Sequence, residues 1–176
     1  MSRLEATPVG DVSFDGERAT LNFEIRLPHP PEEVWKAITD PRELSQWYMT
    51  QAVIEGRKGG FIDLRTGPGQ FHATGRILEW EPPELFEYEW KVRPGELRGA
   101  GEDAIVRWEL ERDGEATILR LAHRKLTRDA GFGAAPYTHV ILERLAAQLD
   151  GRPLPDLRAR AAEVQGKYVP RGASSR

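Results

Sequence analysis

Leu85-Phe86-Glu87-Tyr88-Glu89-Trp90 puts three rings on one side of an extended chain and two carboxylates on the other. Val106-Arg107-Trp108-Glu109-Leu110 repeats the pattern, and Leu119, Leu121 and His123 form a third row across the Asp113-Gly114 hairpin signal. Upstream, Leu21, Phe23, Ile25 and Leu27 alternate with Thr20, Asn22, Glu24 and Arg26. Period-two alternation of this kind reads as strands with one buried face. Between Val53 and Arg124 the rows are punctuated by Gly59-Gly60, Gly67-Pro68-Gly69, Pro82-Pro83 and Pro94-Gly95, with no helical run between them. An antiparallel meander follows. The outward carboxylates Glu87, Glu89, Glu109 and Glu111 read as a solvated sheet face.

Helical patterns bracket the meander. Pro30-Pro31-Glu32-Glu33 suits a first helical turn, where a missing N–H costs nothing and carboxylates meet the helix dipole. Val34, Trp35, Ala37 and Ile38 continue it to Asp40-Pro41, and a second short helix runs from Pro41 to about Tyr48, burying Leu44 and Trp47. The longest helical pattern runs from Pro136 to Leu149, with Thr138, Ile141, Leu142, Leu145 and Leu149 on one stripe and Gly151 as its stop. Leu157, Ala161, Val164 and Tyr168 form a narrower stripe, read as an extra helix that docks on its own domain or on a second copy of the chain. The run from Pro170 to Arg176 reads as a frayed tail. Val9–Phe14 followed by Asp15-Gly16 reads as a hairpin strand. A sheet with one apolar face needs a helical cover, so the expected class is α+β, a curved antiparallel sheet around the long C-terminal helix.

Composition narrows the function. The 176 residues suit one domain burying roughly 70% of its extended surface. A net charge of −3 and no basic stretch argue against a nucleic-acid partner. No run approaches the ~18 apolar residues of a membrane span, and the first residues lack a signal-peptide core. With no cysteine there are no disulfides and no Cys-based zinc site, and the expected location is the cytoplasm.

The run Val34-Trp35-Lys36-Ala37-Ile38-Thr39-Asp40-Pro41, with Leu44 and Trp47, resembles the opening signature of the SRPBCC (START-like) superfamily. In particular it resembles the branch named for the C-terminal domain of the heat-shock-protein-90 ATPase activator. Gly59-Gly60-Phe61, Gly75-Arg76-Ile77-Leu78-Glu79, Pro82-Pro83 and Leu142 to Gly151 follow in the order that branch uses, as do the aromatic rows. The resemblance covers roughly Leu21 to Gly151. It implies the helix-grip fold shared with the birch pollen allergen and a cavity between sheet and C-terminal helix. It also implies kinship with lipid carriers, hormone-binding proteins and polyketide cyclases. Residues 18–152 would form that domain, 1–17 an N-terminal arm with one hairpin strand, and 153–176 an extension. The co-chaperone's separate N-terminal domain does not fit before the first strand, which argues against chaperone activation.

The expected function is binding of a hydrophobic or aromatic small molecule, without a cofactor or metal. Trp47, Phe86, Tyr88, Trp90, Trp108, His123, Tyr137 and Ile141 are its expected lining. A cyclase-, dehydratase- or hydrolase-like enzyme using His123 with a pocket acid or Tyr88 is the alternative, and a protein-interaction or co-chaperone-like module a further one. His123 ends an inward row, where a neutral imidazole could hydrogen-bond a ligand or act as a base. His72 has ambiguous facing and His139 lies on a helix flank. Asp63 and Arg76 would pair inside only if a bulge shifted their register. No HExxH, GxSxG, phosphate loop or dinucleotide fingerprint occurs. A homodimer through the C-terminal helix is the expected mode of any self-association.

Overall fold

The computed structural model describes residues 6–66, 71–94 and 101–168. The turn expected at Gly67-Pro68-Gly69, Gly95 and the tail from Pro170 lie outside the described residues. The chain runs β1 (Val9–Asp15), β2 (Arg18–Leu27), α1 (Pro31–Thr39), α2 (Pro41–Trp47), β3 (Thr50–Ile54), β4 (Phe61–Thr66), β5 (Phe71–Glu81), β6 (Leu85–Val92), β7 (Glu102–Asp113) and β8 (Ala116–Thr127). It closes with α3 (Arg128–Asp150), α4 (Leu157–Val164) and a 3₁₀ turn, Gln165–Tyr168. All eight strands form one curved antiparallel sheet in the order β1-β2-β8-β7-β6-β5-β4-β3. α3 lies against β1, β2 and β8, which makes this the helix-grip fold.

Alternation in the sequence becomes burial in the sheet. Leu21, Phe23, Ile25 and Leu27 of β2 are at most 3% exposed, while the residues between them face outward. The hairpin between β1 and β2 turns at Gly16, whose φ of 58° suits a residue without Cβ. Opposite Phe23 in the register stands Gly10, and the Phe23 ring occupies the space a Cβ there would need. Glycine at that position lets the ring lie flat on the edge strand.

The two short helices are fixed by caps and one tryptophan. Asp40 accepts from the Arg42 N–H at the start of α2, with Pro41 in the first turn. Trp47 is fully buried, and its indole N–H donates to the Ala37 carbonyl at 2.9 Å, tying α2 to α1.

The long helix differs from the sequence expectation. It starts at Arg128, not Pro136, because Thr127 caps it by accepting from Ala130 N–H, and Pro136 sits inside. Glycines at 131 and 133 and the proline together mask the helical pattern. Its buried residues also extend beyond the expected stripe, with Ala135, His139, Val140 and Ala146 at 1% exposure or less. The helix is covered on a second side by the extension.

That extension docks on its own chain. Arg144, buried on α3, donates from Nε to the Trp47 carbonyl at 2.7 Å, and from its other nitrogens to the carbonyls of Gln46 and Pro155. One side chain thus fastens α2 and the start of the extension to α3. Farther along, Arg160 of α4 forms a two-pronged pair with Glu143 of α3. Replacing Arg144 by leucine should lower stability by about 2–4 kcal/mol, since carbonyls matched to a cation lose their donors. It should also speed proteolysis between residues 152 and 157. Denaturant unfolding and limited digestion check both, and an unchanged midpoint with unchanged cleavage would contradict this role for Arg144.

Candidate functional site

The inward rings gather into two groups on the concave side. Trp35 of α1, Trp80 of β5 and Phe86 of β6 pack edge to face, with Trp35–Trp80 centroids 5.0 Å apart and Trp80–Phe86 5.2 Å apart. Tyr88 adjoins Phe86 at 4.8 Å. Across the sheet, Trp90 meets His123 edge to face at 5.4 Å. Phe86, Tyr88, Trp90 and Trp108 are all buried, and Phe86 stands opposite Trp108 in the β6–β7 register. Trp47 is buried nearby in sequence to Tyr48, and those two rings stack.

Two irregularities decide which residues face this side. Between β5 and β6 the register slips between Ile77 and Glu79, so that Trp80 pairs with Phe86 and joins the inner rings. Between β2 and β8 it slips between Ala19 and Leu21, and on β8 Lys125 takes a φ of 62°. The extra residue leaves His123 and Leu126 inward, where strict alternation would pair 123 with 125. A non-glycine residue in the left-handed region costs some backbone energy, and such bulges commonly re-aim a side chain.

His123 differs in kind from the other three histidines. His29 lies between Glu33 and Asp150, 2.7 Å from the latter. His72 is 3.0 Å from Asp63. His139 lies between Tyr168 and Glu143. His123 makes no hydrogen bond to a described residue, and its Nε2 is shut off from solvent. Burial lowers its pKa to about 4, so the imidazole is neutral at pH 7. Both tyrosines on this side are also held neutral. Burial pushes Tyr88 up to about 12, opposed by the neighbouring Trp108, and raises Tyr48 further, with Tyr88 adding to it.

Several sequence expectations need correction. Tyr137 is 45% exposed, on the side of α3 opposite Ala135 and His139, so it does not reach the inner rings. Ile141 is partly buried against the core. Glu87 is not solvated: it is 7% exposed, because Arg107 and Arg124 of neighbouring strands fold over it at 3.2 and 2.9 Å. Arg76 is exposed and Asp63 pairs with His72 and Arg65, so no internal Asp63–Arg76 pair exists. Trp35, Tyr48 and Trp80 belong with the inner rings although the row pattern does not mark them. Trp80 could be found only by anticipating the bulge, and Tyr48 only by knowing how α2 ends.

His139 is the larger surprise. It is fully buried, and Glu143 can only accept, so Nε2–H donates to it at 3.0 Å while the Tyr168 hydroxyl donates to Nδ1 at 2.6 Å. Burial holds His139 below the ordinary histidine value against the pull of Glu143. Burial pushes Tyr168 up to about 12, so its proton stays on oxygen. With every atom satisfied, the trio is a fastening. Tyr168 also packs on Phe23 at 5.7 Å.

A separate groove of about 580 Å³ lies mainly on the outer face, lined by Val9, Asp11, Asn22, Arg107 and Arg120 among others. Its cations are already matched by Glu87, Glu109, Glu24 and Glu111. Among the described residues no group of three or more histidine, aspartate or glutamate side chains could hold a metal ion. No described helix is long and apolar enough to cross a membrane.

Comparison with known proteins follows the same geometry. The family model described as Activator of Hsp90 ATPase homolog 1-like protein matches residues 28–150. No curated protein matches the chain. Among solved structures, CalU16 from Micromonospora echinospora is 23% identical, with 93% of this chain and 95% of that one covered and a TM-score of 0.72. A protein of Bordetella parapertussis is 26% identical over 96% of this chain and 93% of that one, with a TM-score of 0.68. DynU16, described as a putative protein in the dynemicin biosynthetic locus, is 21% identical with a TM-score of 0.60. This chain matches it over 88% of its own length but spans only 51% of DynU16.

The neutral state of His123 has a measurable cost in acid. In the unfolded chain a histidine protonates below about pH 6.5; in the fold His123 does so only below about 4. Its contribution is complete above pH 6.5 and is lost as pH falls toward 4. Between pH 7 and 4.5 the native protein should therefore lose roughly 2–3 kcal/mol more than a His123→Leu variant. Urea unfolding of both proteins at both pH values checks this, since the other histidines cancel in the difference. Equal losses would contradict it.

Proposed function

The chain belongs to the Activator of Hsp90 ATPase homolog 1-like family, within the SRPBCC superfamily, and on that premise we propose that it binds a hydrophobic or aromatic small molecule on the concave side of its sheet. The observation that carries the reading is His123. Buried polar groups in folded proteins are nearly always hydrogen-bonded, and one left open calls for a partner. Large rings with a few convergent polar groups are the usual lining of a ligand site.

Trp47, Phe86, Tyr88, Trp90, Trp108, His123 and Ile141 are the proposed lining, with Tyr48 and Trp80 added and Tyr137 removed. Binding fits the residues better than catalysis by His123. A general base is normally oriented by a second group, and no described carboxylate reaches this imidazole. DynU16 is described as a putative protein in the dynemicin biosynthetic locus, and likeness at 21% identity carries only the fold to this chain.

A panel of lipids, aromatic metabolites and dyes tests the reading by thermal shift and tryptophan fluorescence. A ligand at a hundred times its Kd should add about 2.7 kcal/mol, raising the midpoint by several degrees and changing the emission of Trp90 and Trp108. If no compound moves either signal and a crystal structure shows side chains filling the concave side, the reading falls.

A further inference from the structure

We propose that the free edge of β3 is an interface at which two copies of this chain pair edge to edge, in a weak dimer with its twofold axis at Ala52. The sheet ends in two edges, β1 and β3. An edge strand offers unpaired main-chain donors and acceptors, and natural sheets that stay single commonly place charges, proline or a bulge there. β1 carries Asp11 and Asp15, and α3 lies against it. β3 reads Thr50-Gln51-Ala52-Val53-Ile54, with no charge, proline or glycine, and its register with β4 is unbroken. α2 joins β3 through Tyr48 and Met49 and lies against it, yet Gln51 and Val53 stay exposed and Ala52 and Ile54 half exposed. Five large apolar side chains are exposed among the described residues, and three of them gather here: Met49, Val53 and Phe61, at 38%, 62% and 47%. Apolar surface concentrated in one place marks a contact rather than a solvated edge.

The main chain specifies the occupant. The Glu55 N–H donates to the Phe61 carbonyl at 2.9 Å. Antiparallel ladders alternate, so Gln51 and Val53 turn their main-chain groups to β4, while Thr50, Ala52 and Ile54 turn theirs to the free edge. No described strand pairs with β3 on that side. A second copy set antiparallel, Ala52 facing Ala52, puts Thr50 opposite Ile54 on both sides of the axis. All the outward residues then sit in pairs that exchange two hydrogen bonds each. Between them Gln51 faces Val53 of the other copy, and the two Val53 side chains become diagonal neighbours within reach of one another. No like charges meet across the axis, because the strand has none. One strand thus serves both sides, as an isologous contact requires. Five residues of edge bury little area, so the dimer is weak and depends on concentration. The extension, the other surface expected to join copies, is already fastened to α3 by Arg144 and Arg160.

Sedimentation velocity from about 5 μM to about 500 μM spans the range of such a contact, and amide hydrogen exchange at the two ends locates it. The native protein should pass from monomer to dimer, with the amides of Thr50, Ala52 and Ile54 gaining protection only at high concentration. Val53→Lys sets two ammonium groups diagonally across the axis and should weaken the dimer about tenfold or more. Ala52→Pro removes the central pair of hydrogen bonds but none to β4, since that N–H faces outward, and should weaken it likewise. Unfolding midpoints will record that both variants fold; Val53 is exposed, so its replacement should leave the monomer's stability nearly unchanged. Ala162→Lys, at an exposed position of α4, should leave the dimer as it is. The inference is overturned if the native protein stays monomeric throughout, if the dimer survives Val53→Lys, or if Ala162→Lys disperses it. Protection that appears along β1 and not along β3 would overturn it as well.

Discussion

The guanidinium of Arg144 is the constraint on which the concave side depends. It is a buried cation held almost wholly by main-chain carbonyls, those of Trp47, Gln46 and Pro155. Burial pulls its pKa down, with Asp156 opposing, yet an arginine stays charged through the physiological range. Such a charge is tolerable only where its donors are matched, so three pieces of chain must be in place together. With α2 and the extension fixed on α3, the long helix takes one position over β1, β2 and β8. The face it leaves uncovered, toward β5, β6 and β7, is where Trp80, Phe86, Tyr88 and Trp90 gather.

Much of this architecture is legible in the sequence, for a plain reason. Alternation is clean in β2, and the inward positions of β6 and β7, Phe86 to Val92 and Ala104 to Leu110 taken in steps of two, are all buried. Proline and aspartate at the starts of α1 and α2 act through local rules that do not depend on the rest of the fold. What is not legible is whatever depends on a partner far along the chain. The slips at Ile77/Glu79 and Ala19/Leu21 move side chains across the sheet without a residue type that marks them. Glu87 looks solvated because Arg107 and Arg124, which cover it, are 20 and 37 residues away. His139 looks like a flank residue because Tyr168, 29 residues later, makes that flank an interior.

The same reasoning divides the candidate site. Its rings were readable row by row. The special standing of His123 was not, since the absence of a partner is a property of the folded neighbourhood. Tyr137 is exposed for the converse reason: a position on the helix is readable, but the direction of the helix's buried arc is set by β1, β2, α4 and the 3₁₀ turn together, which lie beyond the stretch matched by the family model. The family model covers α1 to α3 with β3–β8 and leaves β1, β2 and the extension outside it, so the fastening of His139, Glu143, Tyr168 and Arg160 ties the matched stretch to residues beyond it. A shared fold carries many chemistries, so the reading of function rests on the residues that face inward.

The central claim is that His123 is a neutral imidazole whose Nε2 lacks a hydrogen-bond partner among the described residues and gains one when a ligand binds. Nitrogen-15 NMR of the four histidine rings over a pH titration, with and without a saturating bound probe, tests it most directly. The account predicts one imidazole that titrates near pH 4, is absent from the spectrum of His123→Leu, and shifts at Nε2 when the probe binds. A His123 resonance titrating near the ordinary histidine value of about 6.5, unmoved by a probe shown to be bound, would contradict it.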